Sequence, residues 1–209
     1  MEYTPEFIKE TTGRYLFTPD EVIEVYFKNE TLFLIWRGNE KIEPILLGAN
    51  VFFVKELNKK MHFVTHPETR SHYLSVISED EKTITYDYIK LADSVQVPSV
   101  YLKNKQYDEA LKGYLNIQKE DSTSTFLNEH AFNRFGYQQL REAHYKDAIE
   151  IFKINVALHP TSDNVYDSLA DAYARSGDSL QAYENYKKAL DYNTGNTRAK
   201  RFVEAYDKK

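Results

Sequence analysis

Six histidines, no cysteine and two aspartates at helical spacing are the residues of this 209-residue chain whose types could do chemistry. The lack of cysteine removes disulfides, thiolate nucleophiles and cysteine-ligated zinc together. His62, His66 and His72 crowd one region and invite a metal reading. On a strand, however, residues four apart lie roughly 13 Å from each other at about 3.3 Å per residue, too far to share one ion. His66 and His72 flank a hairpin, but two ligands make a thin site, so all three are read as solvent-facing and no metal is expected. Asp167 and Asp171 stand one helical turn apart, as paired acid and base groups do. Without a pocket or a partner histidine they read as a solvated or ligand-contacting face, which Arg175, one further turn on, extends with the opposite charge. No serine has a lysine three residues later, and no G-x-S-x-G elbow, phosphate-cradling glycine loop or H-E-x-x-H pair occurs. No catalytic residue and no cofactor are therefore expected.

The elements that position Asp167 and Asp171 are written twice. Gly136, Ala148, Phe152 and Pro160 recur 34 residues later as Ala170, Ala182, Tyr186 and Thr194, and Phe132 and Phe135 recur as Tyr166 and Leu169. Small residues let two helices of a pair approach closely, while the aromatic residue fills the seam to the next pair. This period and order resemble the tetratricopeptide repeat (TPR). Tyr107 to Leu111 with Tyr114 repeats the second-helix signature of Tyr145 to Ile149 with Phe152, but 38 residues apart, so about four extra residues fall around Asp121 to Ser124. The pattern predicts one degenerate repeat over 95–122, two regular ones over 129–162 and 163–196, and a capping helix over 197–207. That helix exposes Arg198, Lys200 and Arg201 and turns Phe202 and Val203 inward. The resemblance implies a groove lined by the first helices, with His130, Asn133, Tyr137 and Arg141 from one repeat and Asn164, Asp167, Asp171 and Arg175 from the next. Its expected occupant is a protein or a peptide. Repeats that clamp a C-terminal carboxylate use lysine and asparagine where Asn133 and Tyr137 stand, which argues against that kind of tail.

Residues 1–94 read differently. Thr4-Pro5 looks like a helix N-cap followed by proline in the first turn. Strands are expected over 14–18, 21–28, 31–37, 41–47, 51–57, 61–66, 70–78 and 83–90. They are separated by turns at Asn29-Glu30, Gly38-Asn39, Gly48 to Asn50, Asn58-Lys59, His66 to Glu68 and Asp80-Glu81. Loops this short make an antiparallel meander. Ile23, Val25 and Phe27 share a face, as do Leu32, Leu34 and Trp36, and Met61 with Phe63. Phe33 and Ile35 are apolar on the other side of their strand, which calls for cover on both faces and hence a curled sheet or small open barrel. Trp36, Phe53 and Phe63 would have to leave a cavity for this sheet to hold a small apolar ligand; a packed core is the expectation. The fold class is α+β, with an antiparallel β domain over 1–94 and helical repeats over 95–209.

Thr12-Gly13-Arg14-Tyr15, the hairpin from Val25 to Leu34, Asn50 to Phe53, and the run from Asn155 to Ala172 together resemble the β domain and repeat tail of bacterial β-lactamase-related serine hydrolases. That resemblance implies an accessory region whose partner is a catalytic domain of the same polypeptide. As a complete chain the protein is expected in the cytoplasm; as a hydrolase fragment, in the periplasm or outside the cell. The net charge of −5 argues against nucleic acid: residues 1–94 carry 11 Lys/Arg against 16 Asp/Glu, and the remainder 16 of each. No apolar run approaches the roughly 18 residues of a membrane span.

Overall fold

The structure, a computed structural model, describes residues 3–78 and 83–208, so the turn expected at Asp80-Glu81 lies outside the described residues. It is an α+β chain of two compact units that meet between Val97 and Pro98.

The first unit opens with α1 (Pro5–Thr11), started by Thr4, whose Oγ1 accepts from Phe7 N at 3.1 Å. Then come β1 (Gly13–Thr18), β2 (Glu21–Lys28), β3 (Thr31–Trp36) and β4 (Asn39–Ile42) as one antiparallel ladder. A second ladder joins β5 (Ile45–Gly48), β6 (Val51–Val54), β7 (Lys59–Thr65), β8 (His72–Val76) and β9 (Tyr88–Ile89). A bridge between Tyr15 and Lys90 sets β1 beside β9. The outermost strands are then β4 and β5. Ile42 and Ile45, three steps apart in the chain, cannot stand more than about 11 Å apart. Edges tied so closely force the sheet to roll into an open barrel. Its interior is one cluster fed by both ladders, including Tyr15, Ile23, Val25, Leu34, Phe52, Met61 and Phe63.

The strand expected over 41–47 is two strands. Pro44 has no N–H to give a ladder, so the chain breaks at Glu43-Pro44 and β5 starts afresh. The strand expected over 83–90 shrinks to Tyr88-Ile89, because side chains there take the place of the backbone. Val76 N donates to Asp87 Oδ2 at 2.8 Å and Thr85 Oγ1 donates to Val76 O at 3.0 Å. Phe53 points outward, and its neighbour Phe52 fills the core. Phe33, on the outer face, lies under its cross-strand partner Tyr26, the rings stacked with centroids 5.4 Å apart. Asn29 and Glu30 both adopt positive φ, 49° and 61°, the backbone of a two-residue hairpin turn matched to strand twist.

The second unit contains α2 (Pro98–Lys103), α3 (Tyr107–Glu120), α4 (Glu129–Arg141), α5 (Tyr145–Leu158), α6 (Asp163–Ser176), α7 (Ser179–Tyr192) and α8 (Thr197–Tyr206). α4, α6 and α8 begin at strict 34-residue intervals, as do α5 and α7, while α3 precedes α5 by 38. The four additional residues lie between α3 and α4, where Asp121 Oδ1 accepts from Thr123 N at 2.9 Å. Each turn inside a pair carries one left-handed residue at the same place: Lys105 (φ 60°), Ala143 (59°) and Gly177 (92°). Gly136 marks the close approach within the α4–α5 pair, since a Cβ there would stand 2.5 Å from two ring carbons of Phe152. Ala170 and Ala182 are fully buried at the corresponding places of the next pair. These are TPR-like helix pairs, with α8 in the position of a third first helix. On α8, Lys200 and Glu204 replace Tyr166 and Ala170, so it packs mainly through Ala199, Phe202 and Val203.

Candidate interaction face

The first helices α4, α6 and α8 stand side by side, and the residues expected to line a groove fall along them. Asn164 on α6 donates to Glu129 Oε1 on α4 at 2.7 Å. Tyr137 packs edge-on against Phe152 with ring centroids 5.2 Å apart, leaving its hydroxyl on the shared face. Arg198 on α8 reaches across α6 to that hydroxyl, donating at 3.4 Å. This contact brings groups from three consecutive first helices onto one face.

Asp167 and Asp171 are the centre of the face, and neither is solvated: 7% and 8% of each is exposed. Of the two readings, a solvated or a ligand-contacting face, this burial counts against the first. Burying two carboxylates requires partners. Asp167 accepts from Asn196 Nδ2 at 2.9 Å and from Arg198 Nε at 3.2 Å, and pairs with Arg198 Nη2 as well. Asp171 accepts from Arg175 Nε at 3.1 Å, one turn along the same helix. Its other oxygen lies 3.4 Å from Arg198 Nη1, is buried, and has no hydrogen-bond partner. The bond from Arg175 to Asp171 raises the guanidinium further above its ordinary value, so Arg175 stays charged. Arg198 stands exposed on α8, as expected, and is also the cation that meets Asp167 and, beside Arg175, Asp171.

The remaining groove positions divide in two. Asn133 is buried, its Oδ1 accepting from Asn155 Nδ2 at 3.0 Å, and serves the seam between α4 and α5. His130 and Arg141 are exposed. The residues that the groove pattern left out are Asn196 and Arg198. Arg198 stands 34 residues after Asn164, so the same register would have placed it on the face. Along α8 the face continues as an open depression of about 510 Å³ lined by Tyr186, Thr197, Arg198, Arg201, Phe202 and Ala205. Burial among these rings pushes the Tyr186 hydroxyl far above its ordinary range, so it stays protonated.

The histidines of the β unit are spent locally. His66 Nδ1 accepts from Glu68 N and Thr69 N, both at 3.3 Å, and shapes its turn. His72 Nδ1 meets Thr65 Oγ1 at 3.1 Å. His62 is not simply solvent-facing: its Nε2 is buried with no hydrogen-bond partner. Burial lowers its pKa, partly opposed by Asp87. No three His, Cys, Asp or Glu side chains converge among the described residues. The cleft between α1 and the sheet, lined by residues including Phe7, Tyr15, Phe63 and His72, holds about 190 Å³. That is below the roughly 300–1,000 Å³ typical of small-molecule sites. No helix among the described residues is long and apolar enough to cross a membrane.

No family model matches the chain, and no curated protein does. Among solved structures, it is similar to the first TPR of Spaghetti (RPAP3) bound to an HSP90 peptide, SRMEEVD, at 19% identity, covering 53% of this chain and 85% of that one, with a TM-score of 0.37. The first TPR domain of the human RPAP3 protein gives 19% identity over 53% and 84%, with a TM-score of 0.38. A MamA protein gives 23% identity over 53% and 59%, with a TM-score of 0.36. These likenesses are distant, and the repeat architecture rests on this chain's own helices. They do not bear on the resemblance to β-lactamase-related hydrolases.

Proposed function

We propose that the helical unit is a non-catalytic interaction scaffold and that the face shared by α4, α6 and α8 receives a peptide segment of a protein partner. The observation that supports this reading is the reach of Arg198 to Tyr137 across α6, which joins three consecutive first helices in one face. Around its buried centre stand the exposed side chains of His130, Arg141 and Arg201, able to meet a ligand at little cost to the fold. Solenoids of paired helices bind extended or helical segments along such surfaces.

The test uses the full chain against a displayed library of random peptides. His130→Ala with Arg141→Glu changes only exposed groups and should leave the melting temperature within about 2 °C, since surface changes stay within about 0.5 kcal/mol. Peptides retained by the unaltered chain should be lost or weakened by that variant, and unaffected by Lys153→Ala on α5. A groove variant that binds as well as the unaltered chain would refute the assignment of this face.

A further inference from the structure

The contact that closes the face is made by the chain itself. Two carboxylates, Asp167 and Asp171, and the hydroxyl of Tyr137 surround one guanidinium, that of Arg198. This is a socket for an arginine side chain: two largely buried acidic acceptors and a half-buried phenol, around a planar group with several donors whose side chain stays 46% exposed. The fit is incomplete, because the inner oxygen of Asp171 has no hydrogen bond although the residue is more than nine-tenths buried.

The helix that supplies Arg198 buries less than the first helices before it, although the Phe202 ring lies 4.9 Å from that of Tyr186 and Tyr206 stacks on Tyr183 at 4.5 Å. Ala199 is the one fully buried residue of α8. At the places where Tyr166 and Ala170 pack on α6, it carries Lys200 and Glu204. Elements with few buried apolar contacts open at the lowest free energies. Beside the socket, with Arg198 as their common wall, lies the depression of about 510 Å³ that runs along α8. A segment seated there is next to the socket.

We propose that Arg198 is an internal stand-in for a ligand: the partner of this face presents an arginine that takes the socket of Asp167, Asp171 and Tyr137 when α8 shifts. This rests on the scaffold reading above and names the chemistry of its partner. Charge complementarity selects the residue, since removing Arg198 leaves Asp167 without its cation while Asp171 keeps Arg175. An acidic or purely apolar segment would leave a buried carboxylate unpaired. Arg198 also sets a threshold, because a partner binds only the fraction of molecules in which the socket is open.

The experiment compares the unaltered full chain with Arg198→Ala in selection from a random peptide library. Fluorescence anisotropy then follows the selected peptides, with citrulline in place of arginine as the uncharged control. Arg198→Ala should select arginine-bearing peptides and bind them about tenfold more tightly than the unaltered chain. The citrulline forms, and the Arg198→Ala chain carrying Asp167→Asn, should lose that gain. Should Arg198→Ala melt below the assay temperature, Arg198→Gln, which keeps the stem and a donor, takes its place. Peptides selected without arginine enrichment, or bound no better after removal of Arg198, overturn the socket and leave the scaffold reading standing. No peptide retained by either chain overturns both.

Discussion

Replacing Gly136 by alanine sets two effects of known size against each other. In an ordinary helix interior the change stabilises by about 1 kcal/mol, since alanine loses less backbone entropy than glycine. Here the new methyl would stand 2.5 Å from Cε1 and Cζ of Phe152. Carbon atoms settle at about 3.5–4.0 Å, so a gap of roughly 1 Å must open. The ring has little room to give: Phe152 is fully buried among Leu140, Ala148, Leu169 and Ala172, with Tyr137 edge-on to it. Overpacking of this kind costs about 1–3 kcal/mol, which leaves a net loss of about 1 kcal/mol after the helix gain. For a unit of this size that lowers the melting temperature by about 4 °C, read from ellipticity at 222 nm. Phe152→Leu alone should destabilise, yet in the Gly136→Ala background it should cost at least about 1 kcal/mol less, a coupling far above experimental scatter. At the corresponding site Ala170→Gly should lose about 1 kcal/mol of propensity together with the burial of its methyl. A Gly136→Ala chain more stable than the parent, or strict additivity with Phe152→Leu, would refute this account of why the position is glycine.

Ala143→Gly should stabilise the chain by about 0.5–1 kcal/mol, because residue 143 holds φ at 59° where the next repeat uses Gly177; an unchanged or lower denaturation midpoint would count against it. Burial lowers the pKa of His62 below 6.5, so the folded state favours the neutral ring. Its stabilising contribution is complete above that value and is lost as pH falls from there toward the lower folded value, because the unfolded chain takes the proton first. His62→Gln should flatten the decline in urea stability between about pH 7 and pH 5, and an unchanged slope would exclude the ring as its source. Residues 98–209, expressed alone, should melt cooperatively as a helical unit, since their apolar clusters are drawn from their own helices. A non-cooperative melt would show that they depend on the β unit.

The repeat was legible because its constraints are local in register: Gly136, Ala170, Ala148 and Ala182 are small where helices touch, and nothing distant alters that. Thr4-Pro5 was legible for the same reason, a cap being a contact between near neighbours. The errors lie where a distant or side-chain partner decides. Residues 83–90 alternate like a strand, but Thr85 and Asp87 satisfy the edge of β8 with side chains, so no long ladder forms. Asp167 and Asp171 look like a hydrated stripe because four-residue spacing describes only their own helix. Asp167 is met by Asn196 and Arg198, about 30 residues away, and the spacing within one helix does not register them.

The fold does not require carboxylates at those two places. Thirty-four residues earlier, on α4, the same positions hold Asn133 and Tyr137, both neutral: one bonded to Asn155, the other packed on Phe152. That pair stacks as well as the next. Burying an ion pair contributes little net stability and is often matched or exceeded by neutral packing of the same volume. The charges on α6 are not needed where α4 packs on its own pair; Asp167 ties α6 to Arg198 and to Asn196, the cap of α8. The two carboxylates converge, from one turn apart, on a single guanidinium whose other side faces an open depression. On the proposal made above, Asn133 and Tyr137 fix the shape of the face, and Asp167 and Asp171 set which side chain it accepts.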